Sequence, residues 1–150
     1  MSRDRAGARS RQRARDLLVK ALYQWQLAGH SAAEITKQFA TVDGFERCDR
    51  EYFEALLATV IDKAAALDET IARQAARGLD QLDAVGRAIL LLALAELRYR
   101  DDVPTKVVIN EAVELAKRYG AAESYKFVNA LLDRTARELQ RGAAPAEAKA

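Results

Sequence analysis

The chain has 150 residues, half of them hydrophobic, a formal net charge of +2, 7 Gly, 2 Pro, one Cys and one His. That is enough apolar material for one domain with a substantial core, and few Gly and Pro beside abundant Ala, Leu, Arg and Glu favour long helices over short strands. A lone cysteine and a lone histidine exclude an intrachain disulfide and a Cys/His metal site, and no apolar run reaches the roughly 20 residues of a membrane span. The expectation is a soluble, cytoplasmic, all-α protein with no metal and no cofactor.

Charge is concentrated at the start. Residues 1–20 hold six arginines and Lys20 against Asp4 and Asp16, a net +5, which leaves −3 for the rest of the chain. Such an arm is a footprint of nucleic-acid binding, because guanidinium groups take phosphates bidentately and release counterions. A solubilising tail is the competing reading. Residues 1–8 are expected to be disordered, with a helix starting at Arg9 or Ser10 and Ser10 as its cap. Arg11 to Arg15 then sit in the first turns, against the helix macrodipole. This conflict is expected where a binding site, not stability, selects the residues.

The first helix runs to Gly29 with two apolar stripes. Ala14, Leu17, Leu18, Ala21, Trp25 and Ala28 form one; Val19, Tyr23 and Leu27 lie roughly opposite. A surface helix needs one apolar face, so this helix is either sandwiched within the fold or offers its second face to a partner. Ser31 and Glu34 form a capping box opening a short helix that turns Ile35 and Phe39 inward. Thr41 to Arg47 is a loop containing Gly44, and Asp49 caps a long helix. Its apolar positions Tyr52, Phe53, Leu56, Leu57, Val60, Ile61, Ala64, Leu67 and Ile71 keep helical spacing up to Gly78.

Asp80 or Asp83 caps the next helix, which is apolar on every side from Ala88 to Ala95 and is therefore expected at the centre of the fold. Arg87 and Arg98 bracket that stretch, and Glu96 is placed at its wet end. Asp101, Asp102 and Pro104 mark a turn, with Pro104 at the first helical position. The following helix buries Val108, Ile109, Ala112, Leu115, Ala116 and Tyr119 and ends at Gly120. The last helix, about Ala122 to Gln140, buries Val128, Leu131, Leu132, Thr135 and Leu139, with Phe127 at the edge of the stripe. The domain reading is a basic arm over 1–8, one helical domain over 9–140 with halves at about 9–78 and 79–140, and a flexible tail over 141–150.

Catalytic signals are poor. There is no Gly-rich phosphate loop, no G-x-S-x-G and no H-E-x-x-H. Cys48 and His30 lack an orienting third group, and Asp101 and Asp102 are explained by turn chemistry. A binding role fits better, because single-stranded RNA is held by a basic groove with aromatic platforms. Arg9, Arg11, Arg13 and Arg15 supply charge, and Tyr23 or Phe127 supplies stacking, with packing of Tyr23 inside the fold as the alternative. Four arginines each neutralising one phosphate imply a log-log salt slope of about −3.

Two segments, RQRARDLLVKALYQWQL at Arg11–Leu27 and DVPTKVVINEAVELAKRYGAAESYKFVNALLD at Asp102–Asp133, resemble signatures of the NusB family of bacterial transcription antitermination factors. The resemblance implies a compact bundle of about seven helices in two three-helix-like subdomains and no enzymatic activity. It also implies binding to boxA RNA of nascent ribosomal RNA transcripts together with NusE, a small-subunit ribosomal protein. With other Nus factors, this lets the RNA polymerase elongation complex read through terminators. The family's RNA-binding positions fall on Arg11, Gln12, Arg13, Arg15, Tyr23, Glu123 and Phe127, with Arg9 able to substitute where Gln12 replaces a common arginine. The protein-partner positions fall on Asp83, Gly86 and Arg87. Leu91, where an arginine is frequent, and Gly86, where an acidic residue is, depart from the pattern. The same helical domain occurs fused to RNA cytosine methyltransferases, so a related RNA-binding or protein-interaction module without a catalytic domain is the alternative. A homodimer of the free protein is left open.

Overall fold

A computed structural model describes the backbone of residues 2–75 and 82–149 and the side chains of residues 5–75 and 82–140. These residues form six α-helices and one 3-10 turn, with no strand among them. The helices are α1 (Ser2–Ala28), α2 (Ala32–Phe39), α3 (Arg50–Gln74), α4 (Ala84–Tyr99), α5 (Thr105–Tyr119) and α6 (Ser124–Lys149), and the turn is Phe45–Arg47. The fold is all-α, as composition implies. The count of about seven helices that the resemblance implies is corrected to six among the described residues, with one 3-10 turn before Asp49.

Several helix ends are set by residues within one turn of each other. Glu34 N–H donates to Ser31 Oγ at 3.2 Å while Ser31 N–H donates to Glu34 Oε1 at 3.0 Å, completing the capping box. Asp49 Oδ1 accepts from Tyr52 N–H at 3.1 Å, and Asp83 Oδ1 accepts from Gly86 N–H at 2.7 Å. Pro104 is the N-cap of α5 rather than its first helical residue. The expected stop at Gly78 and the alternative cap Asp80 lie outside the described residues.

The N-terminal end of α1 is a correction. The helix begins at Ser2, so the stretch expected to be disordered is helical, and Ser10 is no cap: its hydroxyl donates to the Gly7 carbonyl at 3.0 Å inside the helix. At the other end of the chain, α6 continues past Gln140 to Lys149, through the stretch expected to be a flexible tail.

Helix α4 is the centre. It contacts α1, α3, α5 and α6, and every residue from Ala88 to Ala95 is buried. One hydrophobic core passes through both halves of the chain, from Leu18 and Leu22 of α1 to Leu131 and Leu132 of α6. Phe53 anchors the first half, with Phe39 at 5.8 Å and Phe45 edge-on at 5.3 Å between ring centres, which fastens α2 and the 3-10 turn to α3. Three periodicity assignments shift: Val19 is buried, Ala28 is exposed, and Leu139 is 38% exposed.

Gly120 joins α5 to α6 in an extended conformation, and its glycine is required by space rather than by φ. A Cβ there would lie 2.7 Å from the Ala116 carbonyl oxygen and would also overlap Ser124 Oγ. Gly120→Ala is therefore expected to destabilise the fold by about 1–3 kcal/mol, the usual cost of forcing extra volume into a packed position. An unchanged thermal midpoint would show that the corner yields freely.

Candidate nucleic-acid interface

Side chains two residues apart on a helix stand about 200° apart, so the run Arg9, Arg11, Arg13, Arg15 cannot serve one surface. Within α1 it divides in two. Arg9 and Arg13 are exposed, whereas Arg15 is 3% exposed and faces the core. Arg15 Nε and Nη2 reach the Glu96 carboxylate at 3.0 and 2.9 Å, Glu111 lies 3.8 Å from Nη1, and the Tyr52 hydroxyl donates to Glu96. Glu96 is 1% exposed. Its placement at a wet end is corrected, and so is the assignment of Arg15 to a solvent-facing phosphate site: both charges are consumed in locking α1 to α4.

Burial alone would lower the Arg15 pKa, but the Glu96 charge and hydrogen bonds outweigh it and the guanidinium is held more firmly protonated than usual. For Tyr52, burial first and then the Glu96 charge and hydrogen bond raise the phenol well above its ordinary value, with Arg15 opposing. The sign follows from linkage. Below about pH 10 both folded and unfolded tyrosine are neutral; above it the unfolded phenol ionises while Tyr52 keeps its proton, so stability falls. Denaturant midpoints are expected to drop between pH 9 and 11, and Tyr52→Phe to flatten that drop; equal slopes in both proteins would reject the assignment.

Arg11 is also engaged. It lies 3.2 Å from Asp102 and 3.7 Å from Asp49, with its guanidinium 4.3 Å from the Tyr52 ring centre, and Arg100 covers the same ring at 4.7 Å. Gln12 donates to Glu111 at 3.1 Å. The residues facing solvent form a different set. Arg9, Arg13, Asp16, Lys20, Tyr23 and Leu27 follow one another at spacings of four, three, four, three and four, a stripe about 80° wide on the helical wheel. Tyr23 is 41% exposed and stands about 21 Å along the axis from Arg9.

Beside the first part of that stripe runs a groove of about 570 Å³, bounded by α1, the α2–α3 loop and α5. Asp16 spans it, bonded to both Arg118 and the Tyr119 hydroxyl, and Lys20 lies 5.7 Å from the Tyr119 ring centre. Tyr119 thereby ties the end of α5 to the middle of the stripe. Just beyond it come Glu123 and Phe127. Glu123 is the one non-glycine residue with positive φ among those described (69°), and its carboxylate pairs with Lys126 at 3.0 Å. Phe127 is 37% exposed.

The three partner positions are gathered at the start of α4. Asp83 is the N-cap, and Gly86 donates to it. Gly86 is buried, and a Cβ on it would lie 2.8 Å from Leu82 Cδ1. Arg87 is paired with Asp68 at 2.9 Å through Nε, donates to Gln26 at 3.2 Å, and sits 5.6 Å from the Trp25 ring centre. Leu91 is fully buried. Cys48 is buried too, and desolvation followed by the Asp49 charge raises its thiol pKa, the opposite of an activated nucleophile. Among the described residues no helix is long and apolar enough to cross a membrane, and no cluster of His, Cys, Asp or Glu suits a metal.

Sequence reasoning missed Lys20 and Glu96. Lys20 was signalled by its seven-residue spacing from Arg13, whereas nothing local marks Glu96, which meets its arginine across 81 residues of chain.

The profile of the NusB family matches residues 12–137. A transcription antitermination protein NusB from Photorhabdus laumondii subsp. laumondii is 47% identical over 132 residues, covering 88% of this chain and 96% of the relative. One from Yersinia enterocolitica is 49% identical over 127 residues, covering 85% and 92%. The solved structure of T. maritima NusB superposes with a TM-score of 0.76 at 34% identity, covering 85% of this chain and 91% of that one. A crystal structure of antitermination factors NusB and NusE in complex with dsRNA superposes with a TM-score of 0.74 at 28% identity, covering 87% and 98%.

Proposed function

Since the chain belongs to the NusB family of transcription antitermination proteins, a non-enzymatic family, we propose that it acts by holding boxA RNA of nascent ribosomal RNA transcripts together with NusE. In this reading the complex joins RNA polymerase and other Nus factors in the cytoplasm and lets elongation pass terminators. The observation that carries the RNA part is the exposed α1 stripe. It sets the cations Arg9, Arg13 and Lys20 in line with the aromatic face of Tyr23, the combination of phosphate contact and stacking platform that unstacked RNA requires. Glu123 and Phe127, which follow Tyr119 in the chain, are included in the proposed RNA surface on the resemblance of residues 102–133, and the 37% exposure of Phe127 leaves its ring accessible. Arg11 and Gln12 flank it at second rank because their polar groups already have protein partners. NusE binding rests on the solved relative, with the Asp83 to Arg87 turn as the proposed contact.

The test is fluorescence anisotropy with a boxA-like RNA, a scrambled strand and a duplex, each with and without NusE. Preference for the boxA-like strand, strengthened by NusE, is the expected result. Equal binding to all three RNAs in both conditions would defeat the reading.

A further inference from the structure

The groove beside α1 has a wall that the arginine-rich motif does not contain. Asp43, Gly44 and Arg47 of the α2–α3 loop line it. This loop is held rigidly. Asp49 N–H donates to the Ser10 carbonyl at 3.0 Å, fastening the loop to α1 one residue from Arg9. Phe45 is buried edge-on against Phe53. Gly44 is left-handed (φ 89°), which glycine adopts without a steric cost, and the exposed Arg47 stands beside it with Nη2 at van der Waals distance, 3.4 Å, from where a Cβ would be. Arg47 is thus presented to the groove from a fixed backbone.

The charges lining the groove nearly balance in number, but most of the acids are spent. Asp16 holds Arg118 and Tyr119, Glu111 holds Gln12 and approaches Arg15, and Glu114 lies 3.7 Å from Lys117. Among the described residues, Arg9, Arg13, Lys20 and Arg47 have no carboxylate within ion-pair distance, and they face Asp43 as the one unpaired acid of the groove. Four free cations in a cleft focus an attractive field on an anion. Arg9 and Lys20 are about 16 Å apart along α1, too far for one phosphate to touch both, so the field suits a polyanion.

We propose that Arg47 binds a backbone phosphate of the RNA from this second wall, so that the strand is clasped between α1 and the α2–α3 loop instead of lying on α1 alone. The proposal rests on the RNA reading above. It is tested by anisotropy titration of the full chain with the boxA-like RNA over a range of salt. Arg47→Gln is expected to bind about fivefold more weakly near 0.1 M salt with a log-log slope shallower by about 0.7, the share of one phosphate contact. Arg47→Lys is expected to keep most of the slope, and Asp43→Asn to bind more tightly than the unaltered chain. Arg137→Gln, the same charge change on α6, serves as control. If Arg47→Gln behaves like that control while an Arg9→Gln/Arg13→Gln double variant weakens binding, the clasp is overturned and the RNA reading stands. Absence of RNA binding by the unaltered chain would remove both.

Discussion

Glu96→Ala is expected to lower the unfolding free energy by about 3–5 kcal/mol, because removing one partner of a buried ion pair strands the other charge away from water. Arg15 is the stranded group. Its guanidinium lies among Tyr52 of α3, Glu96 of α4 and Glu111 of α5, and after loss of Glu96 its remaining carboxylate is Glu111 at 3.8 Å, beyond hydrogen-bond reach. The Tyr52 hydroxyl loses its acceptor at the same time. Against a total stability of about 5–15 kcal/mol for a domain of this kind, the loss is large enough to populate the unfolded chain. Replacing all three polar groups together, as Arg15→Met/Glu96→Leu/Tyr52→Phe, is expected to restore most of the stability, since burying two charges is itself costly and an apolar trio of similar volume avoids that cost. Urea unfolding with an unchanged m-value measures both. A loss under 1 kcal/mol for Glu96→Ala would mean that Arg15 finds water, contrary to its burial.

The same ion pair marks where sequence reading stops. Caps are legible because both partners lie within one turn: Ser31 with Glu34, Asp49 with Tyr52, Asp83 with Gly86. The central position of α4 is legible as well, since eight consecutive apolar residues leave no face for water. Pairings across distant segments leave no such mark. Arg15 reads as one more basic residue in a basic run, and Glu96 as the first charge after an apolar one; only the folded chain shows that they neutralise each other. The face of each arginine was available from helical geometry. Grouping Arg9 to Arg15 by charge hides it, because a net charge has no direction while positions two apart on a helix face opposite ways. Gly86 is similar: its departure from the family pattern reads as a lost partner contact, whereas in the fold the residue is buried beside Leu82 and donates to the α4 cap.

With the arginines sorted by face, the salt dependence of RNA binding becomes a test of which of them touch phosphate. Arg9→Gln/Arg13→Gln/Lys20→Gln is expected to weaken binding about 100-fold at 0.1 M salt. Each single-strand phosphate contact contributes about 0.7 to the slope, hence about fivefold per contact at that concentration, and the three together flatten the slope by about 2. Arg11→Gln is expected to fall well short of one such contact, because any phosphate must first displace Asp102 and Asp49 from that guanidinium. Tyr23→Ala separates charge from stacking. With 41% of the residue exposed, its loss leaves the helix intact, and binding is expected to fall by about 1–3 kcal/mol with the salt slope unchanged. If Arg11→Gln flattened the slope as much as Arg9→Gln, the division of α1 into a core-facing and an RNA-facing row would be wrong. A shallower slope in Tyr23→Ala would show instead that the tyrosine orients a cation and does not stack on a base. Both outcomes can be read from the same titrations, because counterion release responds to salt and stacking does not.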